Sequence, residues 1–272
     1  MDGKYRLAFP SWVRQGGITD NAVYLCAQWE RLRESNTLTF PCEAVPEISL
    51  CFFESKACLE YGRDDLPGKL AELPCTWHLH LPLDLPFSLK SAPTPLEVAE
   101  SVDICVKLVR KCDFLNPAAV VLHPPAATPS SPFNPDCLEC FAELWAGHGL
   151  EPKRILLENQ PGSELDCLMQ TSATLGFGLC YDFAHVHMGY ATQAESTILQ
   201  YSAQAGIWHI NAPGPRLNGH APLNSLSPTQ TDTLKKVLRH DRKECPVLLL
   251  ELFNWGKIEQ SLPILNACIS RT

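Results

Sequence analysis

Eight short apolar runs recur along the chain, near 5–8, 47–53, 76–80, 118–122, 154–158, 178–182, 207–209 and 247–251. Runs this short are strand-sized, and most are followed by a longer amphipathic stretch of helical period, near 20–34, 95–112, 135–147, 163–174, 192–204, 228–240 and 257–269. Strands alternating with helices require crossover connections, and so parallel pairing. Eight such units predict α/β class: a single (β/α)8 TIM barrel spanning 1–272. An open doubly wound sheet is the competing arrangement, but neither G-x-G-x-x-G nor G-x-x-x-x-G-K follows any of the runs. The segment 54–74 is the irregular one, with room for a short helix near its end. Ser163 before Glu164, and Ser227 before Pro228, are expected as helix caps.

With 45% hydrophobic and 19% charged residues, the chain has the composition of a folded globular protein. Its net charge of −8 argues against nucleic acid as a partner. No run of about 18 apolar residues is present, so no membrane span is expected. The charged start "MDGKYRLAFPSWV" does not read as a signal peptide. The thirteen cysteines include one C-x-x-C pair, Cys137 and Cys140, with no second pair to complete a four-thiolate zinc site. Most sit in apolar runs, as small core residues in a reducing, cytoplasmic setting would.

Polar residues accumulate where the apolar runs end. In "GLCYDFAHVHMGY" a carboxylate and two imidazoles crowd the end of a strand. The third run ends at His80, the fourth runs into His123, and the fifth ends at Glu158. The sixth ends at Asp182 with His185 beyond it. The seventh ends at His209 with His220 in its loop, and the eighth ends at Glu251. Strand C-termini converge on one rim of a barrel, so these distant positions become neighbours. Six successive runs ending in imidazole or carboxylate are improbable by chance. The mixture suits divalent transition metal ions (zinc, manganese or iron), one to three in number. Clustered ions of this kind clamp phosphate and acidify bound water. Of His78 and His80, only one is expected to face inward, and His80 is nearer the loop. His187 is read as a support for a ligand or a surface residue; His148 and His240 lie in helical or connecting segments.

With these positions set out, the chain resembles the xylose-isomerase-like barrels of the endonuclease IV superfamily. There, metals are held by a His on strand three, a His on strand four, a Glu on strand five, D-x-x-H on strand six, a His on strand seven, D-x-H in the next loop, and a Glu on strand eight. The resemblance covers nearly the whole chain and implies His80, His123, Glu158, Asp182, His185, His209, His220 and Glu251 as metal ligands. One departure is Asn218, which stands where the loop's Asp belongs. A neutral amide is the weaker ligand, implying a looser ion or fewer ions.

Four further words, "LAFPSWV" at 7–13, "CFFESKACLEY" at 51–61, "HLHLPLDLPF" at 78–87 and "VVLHPP" at 120–125, resemble the cobamide-remodelling phosphodiesterases. That branch implies hydrolysis of a corrinoid's nucleotide-loop phosphodiester to cobinamide phosphate and the lower-ligand riboside. Glu158 and Glu251 are then the catalytic candidates, as ion bridges or water-positioning groups, and Arg216 the phosphate-binding one. A wide, partly apolar site is expected for a corrinoid. Pro82, Leu83, Leu85, Pro86, Phe87, Pro124, Pro125, Phe253 and Trp255 are its candidate walls. Competing readings are a sugar isomerase or epimerase, an abasic-site endonuclease, and a metal or corrinoid carrier.

Overall fold

The computed structural model describes residues 5–90, 92–125, 135–188, 193–215, 219–242 and 244–270. Eight parallel strands close into a barrel: β1 (Arg6–Pro10), β2 (Glu47–Cys51), β3 (Thr76–His80), β4 (Val120–Leu122), β5 (Ile155–Glu158), β6 (Gly178–Asp182), β7 (Ile207–His209) and β8 (Val247–Leu249). Each strand pairs with its neighbours in sequence. The last closes on the first, with Arg6, Leu7 and Ala8 opposite Val247, Leu248 and Leu249. Nine α-helices lie among the described residues: α1 (Ile18–Glu34), α2 (Ser55–Leu59), α3 (Pro95–Lys111), α4 (Asp136–Gly147), α5 (Leu165–Leu175), α6 (Phe183–Val186), α7 (Glu195–Gln204), α8 (Pro228–Arg239) and α9 (Trp255–Ile269). This is the expected (β/α)8 barrel. None of the described helices is long and apolar enough to cross a membrane.

Successive side chains on a strand alternate between the two faces of the barrel wall. Leu7, Phe9, Ile48, Leu50, Trp77, Leu79, Leu179 and Tyr181 point outward and join the large core beneath the helices. Val121, Leu156, Cys180 and Ile207 point inward and form a separate apolar cluster. That cluster is the middle of the barrel, and the residues two further along β5, β6 and β7 form its C-terminal end.

Residues two apart share a face, which corrects the expectation for β3: His78 and His80 are both buried and both face inward. They lie at different depths. His78 sits low, where its Nδ1 meets Glu47 Oε1 at 2.6 Å; Glu47 Oε2 takes Arg6 Nη1 at 2.8 Å and Thr76 Oγ1 at 3.1 Å. Burial pushes the Glu47 carboxyl up, but the hydrogen bond and charge of His78 and then those of Arg6 prevail, holding it at about 2.

Helix starts follow their caps. Ser227 caps α8, accepting from the Gln230 amide while Gln230 reaches back, as the Ser-Pro pair suggests. Ser163 does not cap α5; its Oγ accepts from the Gln160 amide at 2.8 Å, and that tight turn defers the helix until after Glu164. The segment 54–74 has α2 at its start and a 3-10 turn (Gly68–Glu72) near its end. All thirteen cysteines are free thiols.

Candidate metal centre

The inward residues at the C-terminal rim come together. His80, Glu158, Asp182 and His209 close their strands, His123 follows β4 directly, and Glu251 lies two residues beyond β8. His185 reaches the same place by a capped turn. Asp182 is the N-cap of α6, its Oδ1 accepting the His185 amide at 2.7 Å, so the D-x-x-H spacing folds the imidazole back over the rim. His220 arrives on a two-residue antiparallel ribbon, Ala212–Pro213 against His220–Ala221. The ribbon is tight at its turn end, with Gly214 N–H donating to Gly219 O at 2.6 Å. A Cβ on Gly214 would lie 2.5 Å from that oxygen, so the crossing needs glycine there. Arg216 and Asn218, both singled out from the sequence, lie outside the described residues.

Glu158 is the hub. Its Oε2 lies 3.1 Å from His80 Nε2, 3.3 Å from His123 Nε2 and 3.4 Å from His209 Nδ1, and its Oε1 lies 3.3 Å from His185 Nδ1. Glu251 Oε2 is 3.2 Å from both His209 Nδ1 and His220 Nδ1. Asp182 Oδ2 faces His209 Nδ1 and His220 Nε2, each at 3.7 Å.

Backbone carbonyls fix three of the rings. His80 Nδ1 bonds Leu81 O at 3.0 Å, His185 Nδ1 bonds Asn159 O at 2.9 Å, and His220 Nδ1 bonds Glu251 O at 3.2 Å. A carbonyl only accepts, so each Nδ1 carries a proton, and each neutral ring then presents its lone pair at Nε2. Metal-binding imidazoles are oriented in the same way. Asn159, which the sequence did not single out, also clasps Asp182. Its Nδ2 donates to Asp182 O at 2.9 Å and its Oδ1 accepts the Asp182 amide at 2.8 Å. Its signal was position: the first residue after Glu158, in "ENQPG".

Several buried polar atoms here have no hydrogen-bond partner among the described residues: Asp182 Oδ2, His185 Nε2, both nitrogens of His209, His220 Nε2 and Glu251 Oε2. Each such atom costs about 1–3 kcal/mol if nothing binds it, and cations would bind the carboxylate oxygens and one nitrogen of each ring. Donor atoms group within 4.8 Å as His80–His209–Glu251, His80–His123–Glu158 and Asp182–His185–His220. The set therefore fits divalent metal. A fourth group joins Glu158 and His209 to Cys180, whose thiol burial pushes up to about 12. Asn211, on the same face as His209 and fully buried, likewise has both amide atoms unpartnered, and was not foreseen.

Without a cation, protons supply the positive charge. Burial raises the Glu158 carboxyl, but His123 and His209 outweigh it and hold it well below the usual range; His209 and His220 hold Glu251 at about 2. Burial lowers the imidazoles in turn. The carboxylates still lift His80 above its ordinary value, Cys180 and then Glu251 and Glu158 lift His209 well above it, and Asp182 and Glu158 lift His185 to about 9. His123 stays lowered, because burial prevails there. His187 is outside the cluster, its ring edge-on to Phe183 at 4.7 Å.

His80, His123, Glu158, His185, His220 and Glu251 of the cluster floor a cavity of about 520 Å³. Its walls include Phe52, Phe53, Leu83, Leu89, Pro124, Pro161, Leu252 and Phe253, with Lys257 at one side. Of the expected wall residues, Leu83, Pro124 and Phe253 line it. Leu85, Phe87 and Trp255 do not; they are buried in the core, Trp255 against Phe9 and Tyr24. Pro82, Pro86 and Pro125 are also off the lining. Apolar loop residues near a strand end serve the helix layer first, which explains the difference.

The sequence matches no protein-family model, and comparison with curated proteins returns no match. Solved structures share the fold over nearly the whole chain. Endonuclease IV from Thermus thermophilus is 16% identical with a TM-score of 0.64, covering 97% of this chain and 98% of that one. The IOLI protein, solved with a zinc atom, is 14% identical with a TM-score of 0.65, covering 97% and 98%. A D-tagatose 3-epimerase-like protein is 14% identical with a TM-score of 0.62, covering 97% of each chain. At these identities the likeness establishes the (β/α)8 barrel fold alone.

Proposed function

We propose that this protein is a metal-dependent phosphodiesterase that hydrolyses the nucleotide-loop diester of a cobamide, giving cobinamide phosphate and the lower-ligand riboside. The observation that carries the reading is the pairing of a cluster of eight metal-compatible side chains, six of them on the cavity floor, with predominantly apolar walls above them. His80, His123, Glu158, Asp182, His185, His209, His220 and Glu251 hold the ions. Bound divalent ions would acidify water and neutralise phosphoryl charge. Glu158, in reach of four imidazoles, would be the central carboxylate ligand. Glu251, which lines the cavity, would hold an ion or position the attacking water.

The walls favour an amphipathic substrate over a bare sugar. Phe53, Leu83, Leu89 and Phe253 line the cavity and are 40%, 44%, 64% and 42% exposed. Exposed apolar side chains grouped on one lip mark a binding surface, here for the corrinoid face while the nucleotide loop enters the cavity. The sugar epimerase is the second reading, because Glu158 and Glu251 both flank His209, as a pair of proton carriers around one ion would.

The test is incubation of the metal-loaded protein with a complete cobamide, with abasic duplex DNA and with a ketohexose, products being read by mass spectrometry. The reading expects cobinamide phosphate and a free riboside, with the other two unchanged. Epimerised sugar or nicked DNA beside intact cobamide would overturn it.

A further inference from the structure

Lys257 is the one lysine or arginine among the described residues that lines the cavity. Its ammonium makes no hydrogen bond or ion pair with any described residue, although Glu158 and Glu251 lie on the floor of the same cavity. Its backbone is fixed: the Lys257 amide donates to Asn254 O at 3.1 Å, and its neighbours Trp255 and Ile258 are buried in the core. The segment after β8 therefore carries Glu251 into the metal cluster and, six residues on in the first turn of α9, a free cation to the cavity wall.

Resting on the phosphodiesterase reading, we propose that Lys257 is the substrate-anion anchor, holding a non-bridging oxygen of a singly charged ester whose apolar body lies on Phe53, Leu83, Leu89 and Phe253. A lone ammonium is a point charge suited to one oxygen. The lip bearing it is apolar, with Phe53 and Phe253 in edge contact at 5.2 Å. Nucleic acid presents a charge about every 1.7 Å of duplex and needs a row of cations to meet it. One lysine among the described cavity-wall residues of an acidic chain of net charge −8 suits instead an isolated charge on a large apolar molecule.

The test compares zinc-loaded wild type with Lys257→Met, Lys257→Gln and Lys257→Arg at matched metal content and matched circular dichroism. Binding of inorganic phosphate is followed by calorimetry, and hydrolysis of bis(4-nitrophenyl) phosphate by absorbance. The Met and Gln variants are expected to bind phosphate at least tenfold more weakly and to raise KM by a similar factor with kcat nearly unchanged; Arg restores most of both. Unchanged phosphate affinity and KM in the Met and Gln variants overturn the anchor even if the diester is cleaved. No diester cleavage by any form, with phosphate affinity still dependent on Lys257, removes the phosphodiesterase and leaves the anchor standing.

Discussion

Asp182 uses its two oxygens for different tasks: Oδ1 caps the turn bearing His185 at 2.7 Å, while Oδ2 faces His209 and His220 at 3.7 Å without a hydrogen bond. Asp182→Asn can keep the cap and loses the charge. It should leave the melting temperature within a few degrees and weaken metal binding about 10–100-fold. Asp182→Ala loses both, melting earlier by about 1 kcal/mol of cap energy and losing turnover. Metal titration and thermal denaturation of the pair check this, and equal metal affinity in Asp182→Asn and wild type would remove Oδ2 from the ligand set.

Metal loading should release protons. In the cation-free site His185 is lifted to about 9, so at pH 7 it is charged and must lose its proton before Nε2 can bind. Affinity therefore climbs between pH 6 and 9. Calorimetry of zinc binding in buffers of differing ionisation enthalpy should show net proton release, and its absence contradicts the assigned charges.

The lower cluster should govern acid stability. Glu47 is held at about 2 against an ordinary 4.5, so its folded value is depressed. Its stabilisation is present above the unfolded value and disappears as pH falls through 4.5 towards 2, a span of about 3 kcal/mol for this 1%-exposed carboxylate. Glu47→Gln should be less stable than wild type at pH 7, the gap closing towards pH 2. Urea denaturation across that range measures it, and a constant gap would contradict the account.

Gly214→Ala should displace His220, because the added Cβ meets Gly219 O. Spectroscopy of cobalt-substituted protein should show one fewer imidazole per site, with the barrel's melting temperature little changed; an unaltered spectrum would mean the ribbon absorbs the methyl group.

Much of the rim was readable because a barrel converts strand ends into neighbours. His80, Glu158, Asp182 and His209 terminate apolar runs and were identifiable from that alone, whereas His185 and His220 depended on a capped turn and a ribbon. The sequence misled where position along a strand was confused with face, as for His78. It also misled where an apolar loop residue had two possible partners, as for Leu85, Phe87 and Trp255. Asn159 and Lys257 stayed hidden for another reason: an amide after a strand and a lysine in a helix's first turn are commonplace until the fold sets one against Asp182 and the other beside a cavity.

The central claim is that these eight side chains hold metal. Elemental analysis of the purified protein, before and after dialysis against zinc, manganese or iron, tests it most directly. The account predicts at least one equivalent of a divalent transition metal per chain, lost on His185→Ala with the fold retained by circular dichroism. Less than about a tenth of an equivalent, with none taken up, would contradict it.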